Sequence, residues 1–390
     1  MVKLLAKGTP FPPTAFSVVS YNLLAPLYVR PLDARTGGVQ AFAAFQWAEP
    51  ADEVLAWDVR RPRLLKELES CGADVICLQE VQFDSGDDGS FSLPEWLRLP
   101  DYMFRVPPAK ELAQIADRNK RVLGSRSAIG NAVLYRTDRL ALIEQSGPGS
   151  KDQLTGVGVC VRGKAGTPLA ALGPTAVLSV HLDATSEEKR VKQLTKYLER
   201  ARQLGTREVI LAGDLNTEVL PGSCVEAFVA GGQEPTDEEL ARECASALRL
   251  TSEGDGDGSE EGEEAAAGGG EAAATANGAS GEASGDGEVE AEGEGEGEGG
   301  EAASAPTAKQ LAEWRELRAA AVAASAAQRI ALARVPTGAT RAAWPHGQQG
   351  PPCGAWRLDH LLYTPRTLQA LAVLHGKGDG PRAVAKVGNL

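Results

Sequence analysis

The chain has 390 residues, 43% of them hydrophobic, and a formal net charge of −13. This suits one large domain or two ordinary ones with a sizeable core. No apolar run approaches a membrane span, residues 1–13 lack the apolar stretch of a secretory signal, and six scattered cysteines without a CxxC pair argue against a zinc site or disulfide framework.

The charge is unevenly spread. Residues 251–301 hold 17 acids and no Lys or Arg, leaving 36 of the 53 acids for the remainder against all 40 bases. That remainder is mildly basic, which permits a polyanionic substrate.

In chain order, a short strand is expected over 16–22, ending on Asn22, and an irregular region then runs to about Trp57. Leu64, Leu65 and Leu68 at helical spacing predict an amphipathic helix over 59–70, stopped by Gly72. The apolar run at 74–78, bounded by polar residues, predicts a buried strand. Further strands are expected at 102–106, 132–135, 156–161 and 176–180. Arg118, Lys120, Arg121 and Arg126 read as a basic loop before Gly130, either a solvated face or a phosphate clamp. A charged helix is predicted over 186–203, with Ser186 or Thr185 as cap, Glu187 and Glu188 in its first turn, and Gly205 ending it. A buried strand at 208–212 and a helix over 235–250, capped by Thr236, follow.

Residues 252–305 are Gly/Ala/Glu-rich, and too apolar-poor to offset the cost of ordering, so a disordered acidic insertion is expected, most simply as a spacer. An Ala-rich helix over 307–334 and strands at 356–363 and 371–374 come after it. The organisation is thus one domain in two parts, 14–251 and 306–390, interrupted by 252–305. The pattern predicts an α/β class of packed layers with mixed or antiparallel sheets. There is no GxGxxG or P-loop sequence for a dinucleotide or mononucleotide fold.

Three apolar strands end on residues of hydrolytic type. The first delivers Gln79-Glu80, the second His181, the third Gly213-Asp214-Leu-Asn216. An apolar strand body fixes the backbone while its tip holds a polar group at the mouth of a cleft. Phosphodiester cleavage needs such a set. A hard dication offsets developing negative charge, Mg²⁺ needs only one or two carboxylates because it keeps several waters, a further carboxylate can orient the attacking water, and His and Asn can donate to phosphoryl oxygens. The structural alternatives are a solvated strand end for Glu80, a helix N-cap for Asp214, a turn residue for Asn216, a turn cap for Asn22 and a buried structural role for His181.

The segments Val19-Ser-Tyr-Asn22-Leu-Leu-Ala, Trp57-Asp-Val-Arg-Arg61, Asp74-Val-Ile-Cys-Leu-Gln-Glu80-Val, Gly130-Asn-Ala-Val-Leu-Tyr135, Ser179-Val-His181-Leu and Ala212-Gly-Asp214-Leu-Asn216 occur in an order that resembles the endonuclease/exonuclease/phosphatase superfamily, and within it the deadenylase, nocturnin and angel branch. The resemblance covers roughly 16–225 and 356–374. It implies a DNase I-like four-layer α/β sandwich of two packed mixed sheets, with Mg²⁺ (or Mn²⁺) held by Glu80 with Asn22. Asp214 would act on the water, with Asn216 and His181 on the phosphate and Asp359 and His360 as late catalytic residues. Arg126 and Asn131 would contact substrate.

The family's terminal Ser-Asp-His segment is not visible. Asp359-His360 and Gly378-Asp379-Gly380 are the two positions that could stand for it. Without it, the resemblance implies that the last strand of one sheet is missing, and either that activity is low or absent or that 306–390 is a truncated end of the domain. The expected function is an Mg²⁺-dependent 3′–5′ exoribonuclease acting on RNA, with a nucleotide or dinucleotide phosphatase and a catalytically silent binding module as alternatives. A monomer with no membrane partner and no leucine-rich repeats for complex recruitment is expected, in the cytoplasm or nucleus, with an organelle as a further alternative.

Overall fold

The computed structural model describes residues 3–5, 13, 15–29, 55–143, 157–206, 208–230, 234–254, 305–328, 332–334, 341–343, 354–356, 359–363, 368–374 and 383–389. In chain order the elements are β1 (Lys3–Leu5), β2 (Phe16–Asn22), α1 (Pro26–Val29), α2 (Trp57–Cys71), β3 (Val75–Gln82), β4 (Asp84–Ser85), β5 (Phe91–Ser92), β6 (Tyr102–Arg105), α3 (Ala109–Leu123), β7 (Ile129–Arg136), β8 (Leu140–Leu142) and β9 (Val157–Gly163). There follow β10 (Thr175–His181), α4 (Glu187–Gln203), β11 (Val209–Asp214), α5 (Cys224–Ala230), α6 (Asp237–Gly254), α7 (Ala308–Gln328), β12 (Ala333–Arg334), β13 (Arg341–Ala343), β14 (Gly354–Trp356), β15 (Asp359–Tyr363), β16 (Leu368–Leu374) and β17 (Ala383–Asn389).

Two mixed sheets carry the fold. One runs β1-β16-β17-β2-β3-β7-β6 and the other β12-β15-β11-β10-β9-β8. The pairs β2–β3 and β10–β11 are parallel, so each pair ends at one edge of its sheet. The apolar runs have a simple cause. Val18, Val75, Cys77 and Val133 face the second sheet, where Val159, Val161, Val177, Ile210 and Ala212 meet them. Their neighbours Val19, Ile76, Leu78, Ala132 and Leu134 pack instead with Leu68 of α2 and Leu112 and Ala116 of α3. Leu178, Val180, Val209 and Leu211 pack with α4, α5, α6 and α7. Both faces of each sheet are covered, so the central strands read as continuous hydrophobic segments rather than alternating ones. The result is a four-layer α/β sandwich with two packed mixed sheets, as expected.

Several local expectations are corrected. The basic segment before Gly130 is not all loop. Arg118, Lys120 and Arg121 lie on α3, whose Leu112, Ala116 and Asn119 turn inward at helical spacing after the Pro107-Pro108 start. The final Ala-rich helix stops at Gln328, and β12 takes up residues expected to be helical. Helix α6 runs to Gly254, past the start assigned to the insertion. Thr236 does cap it: its hydroxyl accepts from Glu239 N–H while the Glu239 carboxylate accepts from Thr236. Ser186, not Thr185, caps α4 by accepting from Lys189 N–H.

The expectation of a missing last strand is also corrected. β17 sits between β16 and β2, with Ala383 opposite Ser20 and Val387 opposite Phe16. The segment Gly378-Asp379-Gly380, the N-terminal 1–2, most of the insertion, and His346 lie outside the described residues. Among the described residues, Cys71, Cys77, Cys160, Cys224 and Cys244 form no disulfide, and no helix is long and apolar enough to cross a membrane.

Candidate active site

The site is built where β2, β3, β10 and β11 end. Asn22 closes β2, and its side-chain Nδ2 donates to Glu80 Oε1 at 2.7 Å and to Asp214 Oδ2 at 3.2 Å. One amide therefore bridges a carboxylate from each sheet. The amide is held in this sense by its own oxygen, which accepts from Leu24 N–H at 2.9 Å. Asn22 orients the two acids, and its oxygen is engaged within its own turn.

Glu80 leaves the strand ladder to reach this position. The β3–β7 register shifts between Leu78 and Val81, and Glu80 has a φ of 54°. A bulge of this kind re-aims a side chain at a local conformational cost. Its second oxygen, Oε2, accepts from Ala25 N–H at 3.0 Å. Gln79, just before it, is fully buried and ties the sheets together. Its Nε2 donates to Ser179 Oγ at 2.8 Å, while Ser179 Oγ donates to Leu78 O at 2.9 Å. Buried polar residues within apolar strands, Gln79 and Ser179, are the sequence signal for such an inter-sheet tie.

Asp214 ends β11, 8% exposed, beside His181 of the parallel strand β10. The helix-cap alternative for Asp214 is not what the structure shows. The next helix starts at Cys224, and Asp214 Oδ1 instead accepts from Asn216 N–H at 2.8 Å, closing a tight turn. Asn216 has a φ of 49°, which Asn tolerates better than most residues, and its Nδ2 donates to Leu182 O at 2.8 Å. Beyond His181, the chain is anchored by Arg190. This residue, 2% exposed, donates to the Asp183 and Ala184 carbonyls and pairs with Glu187, whose other oxygen accepts from Cys224 and Val225 N–H. On the far side of β11, Asp359 lies directly opposite Asp214, and His360 opposite Gly213. Asp359 thus shares the rim by register, while His360 is one step out of phase with Asp214.

The remaining expected residues lie elsewhere. Asn131, 1% exposed, donates through Nδ2 to Ser179 O at 3.1 Å, so it supports the strand beneath His181. Arg126 is at the surface, with Nε donating to Asp117 Oδ1 at 2.9 Å and its guanidinium 5.3 Å from the Phe91 ring centre. Tyr28 of α1 joins this neighbourhood without a motif to mark it in the sequence. Its hydroxyl is pushed up to about 12, first by desolvation and then by the negative charge of Glu80, with Arg118 pulling the other way. Tyr28 thus feels the charges of both Glu80 and Arg118.

The donor set suits a hard cation. Glu80 offers carboxylate oxygens, each accepting one hydrogen bond and each with a further lone pair. Among the described residues no group of three or more His, Cys, Asp or Glu gathers as a zinc cage would. A single carboxylate with nearby polar groups fits Mg²⁺, which retains most of its water.

Two packed mixed sheets with helices outside and an acid–amide cluster at one rim define the DNase I-like class of α/β sandwiches. The chain belongs to the endonuclease/exonuclease/phosphatase family, which matches it over residues 20–237. It is 26% identical over 240 residues to protein angel of Drosophila melanogaster, covering 59% of this chain and 60% of that protein. It is 29% identical over 131 residues to the CCR4-Not complex 3′-5′-exoribonuclease subunit Ccr4 of Mycosarcoma maydis, covering 34% of this chain and 16% of that one. The match therefore spans less than two thirds of either relative. Among solved structures, that of ANGEL2, described as a 2′,3′-cyclic phosphatase, aligns over 96% of this chain and 95% of its own at 15% identity with a TM-score of 0.48.

Proposed function

We propose that this chain is an Mg²⁺-dependent phosphoester hydrolase acting as a 3′–5′ exoribonuclease. The observation that carries the reading is the Asn22 amide shared by Glu80 and Asp214. It holds two carboxylates from different sheets close together, and a dication beside them offsets their mutual repulsion and the charge of an anionic substrate. The name of the Mycosarcoma relative supports the exoribonuclease choice.

When bound at Glu80, Mg²⁺ supplies a Lewis acid for the phosphoryl oxygen. The residues of the chain do the rest. Asp214, fixed at Oδ1 by Asn216 N–H and at Oδ2 by Asn22, aligns a water and accepts its proton. His181 and Asn216 donate to the phosphoryl oxygens as negative charge grows. Arg118, near Tyr28, adds positive potential for the incoming polyanion.

The test is hydrolysis by the purified full chain with Mg²⁺, Mn²⁺ or EDTA. Substrates are a 5′-labelled oligoadenylate, the same oligomer ending in a 2′,3′-cyclic phosphate, and a dinucleotide phosphate. A ladder shortening from the 3′ end, abolished by EDTA, is expected. Loss of only a terminal phosphate would replace the exonuclease reading with a phosphatase. Inactivity of folded protein on all three would sink the hydrolase reading.

A further inference from the structure

The Trp57-Asp-Val-Arg60 segment has no part in the chemistry above, yet Arg60 grips the turn beside Glu80. It sits in the first turn of α2. Its Nη1 donates to Leu23 O at 3.1 Å and to Leu24 O at 3.0 Å, its Nη2 to Leu24 O at 3.0 Å, and its Nε to Leu55 O at 3.0 Å. Its guanidinium carbon lies 5.2 Å from the Trp57 ring centre. Burial works against its charge, and Glu80 favours it.

The carbonyls it grips belong to the turn that holds Glu80. Leu23 N–H donates to Gln79 O, Leu24 N–H to Asn22 Oδ1, and Ala25 N–H to Glu80 Oε2. Leu24 has a φ of 53°, a left-handed conformation that is strained for a leucine and persists only if something holds it. The carbonyls of the turn are bound by the guanidinium, and its N–H donors by Gln79 O, Asn22 Oδ1 and Glu80 Oε2.

We infer that Arg60 is the positioning residue for the Glu80 carboxylate. By fixing the Leu23–Leu24 carbonyls it sets both donors to that carboxylate, Asn22 Nδ2 and Ala25 N–H, and so aims Glu80 toward the cation. The inference rests on the reading of Glu80 as a cation ligand. A lysine could supply the charge but not the planar fork that reaches three carbonyls at once.

The test compares the full chain with Arg60→Lys and Arg60→Met. Three readouts are taken: Mn²⁺ binding followed by the paramagnetic resonance of the free ion, hydrogen exchange of the Ala25 amide, and kcat and KM as functions of Mg²⁺. Groups that orient a metal ligand typically change metal affinity or activity 10–100-fold. Both variants are expected to bind Mn²⁺ roughly 10–100-fold more weakly, to exchange Ala25 N–H faster, and to lose kcat more than KM. If Arg60→Met does not fold, Arg60→Lys alone carries the test. A folded Arg60→Lys variant with wild-type Mn²⁺ affinity and wild-type Ala25 exchange would overturn the inference. A wild-type chain that binds no Mn²⁺ would overturn the reading of Glu80 instead, and unchanged Ala25 exchange would still overturn the clamp.

Discussion

Asp214 and Asp359 face one another across the antiparallel pair β11–β15, while on its other side Asp214 is in register with His181. Three chemically competent positions thus share one line across the second sheet at its rim. Asp214 is the member tied to the first sheet through Asn22. Its replacement by Asn keeps the shape and removes the base. Asp214→Asn is expected to lower kcat by about 10²–10⁴ and to cost about 1–3 kcal/mol of stability, because Asn216 N–H and Asn22 Nδ2 each donate to one carboxylate oxygen and an amide offers only one acceptor oxygen. Asp359→Asn is expected to lower activity in a way that does not add to Asp214→Asn, since residues acting as a unit couple. Single-turnover hydrolysis by the two single variants and the double variant checks both. Independent, multiplicative losses would separate Asp359 from the site.

Gly213 explains why glycine precedes Asp214. A Cβ there would lie 1.8 Å from Val180 O and 2.7 Å from Val180 C. Gly213→Ala must push β10 and β11 apart where His181 and Asp214 meet. Overpacking costs about 1–3 kcal/mol in a core that can adjust, and a backbone contact this close gives little room to adjust. Urea unfolding should show a loss at or above that range, with activity lost under conditions where the variant is still folded. A stable, active variant would contradict the tight strand approach.

Glu111, in the first turn of α3, has its carboxyl pushed up to about 7 by burial. The folded state then holds a proton that the unfolded chain releases near pH 4.5. Its contribution to stability is therefore fully present below about pH 4.5 and is lost as pH rises through about 7. Glu111→Gln, which stays neutral, is expected to raise Tm at pH 8 relative to wild type and to match it near pH 4. Scanning calorimetry at the two pH values decides it. An equal effect at both would assign the change to packing rather than charge.

Helices α6 and α7, which flank the acidic stretch, meet directly. Arg315 pairs with Asp237 at 2.8 Å, and Trp314 Nε1 donates to Gly222 O at 2.9 Å, close to α5. Leu240 and Cys244 share a core with Trp314 and Ala321. Replacing residues 255–304 by a short Gly/Ser linker is therefore expected to leave the fold intact and to change stability by no more than about 1 kcal/mol, the scale of loop-length entropy. A large rise in oligonucleotide cleavage at low salt would instead assign the acidic stretch to blocking the basic surface.

The strands were legible because packing writes directly into composition. The runs at 16–22, 74–78, 176–180 and 208–212 are apolar on both faces since each sheet is covered twice. Helix α3 carries its signal in Leu112, Ala116 and Asn119 at helical spacing after Pro107-Pro108, but the basic cluster Arg118, Lys120 and Arg121 at its end reads locally as a loop. The terminal β17, Ala383–Asn389, was hidden. A strand that completes a sheet edge-to-edge is defined by its partners β16 and β2, not by a strong pattern of its own.

The sequence by itself determined which residue types could do chemistry and that they fall at strand ends: Asn22, Glu80, His181, Asp214 and Asn216. Side-chain type and local hydrophobicity are properties of short segments. Only the tertiary structure decided that Glu80 and Asp214, 134 positions apart in the chain, hang on one Asn22 amide. Only it decided that Asn131 donates to Ser179 O, and that Arg60 grips the Leu23–Leu24 turn. Directional hydrogen bonds between distant segments depend on strand register, on a bulge at Glu80 and on left-handed turns at Leu24 and Asn216. Those follow from how the two sheets pack, which no single segment specifies.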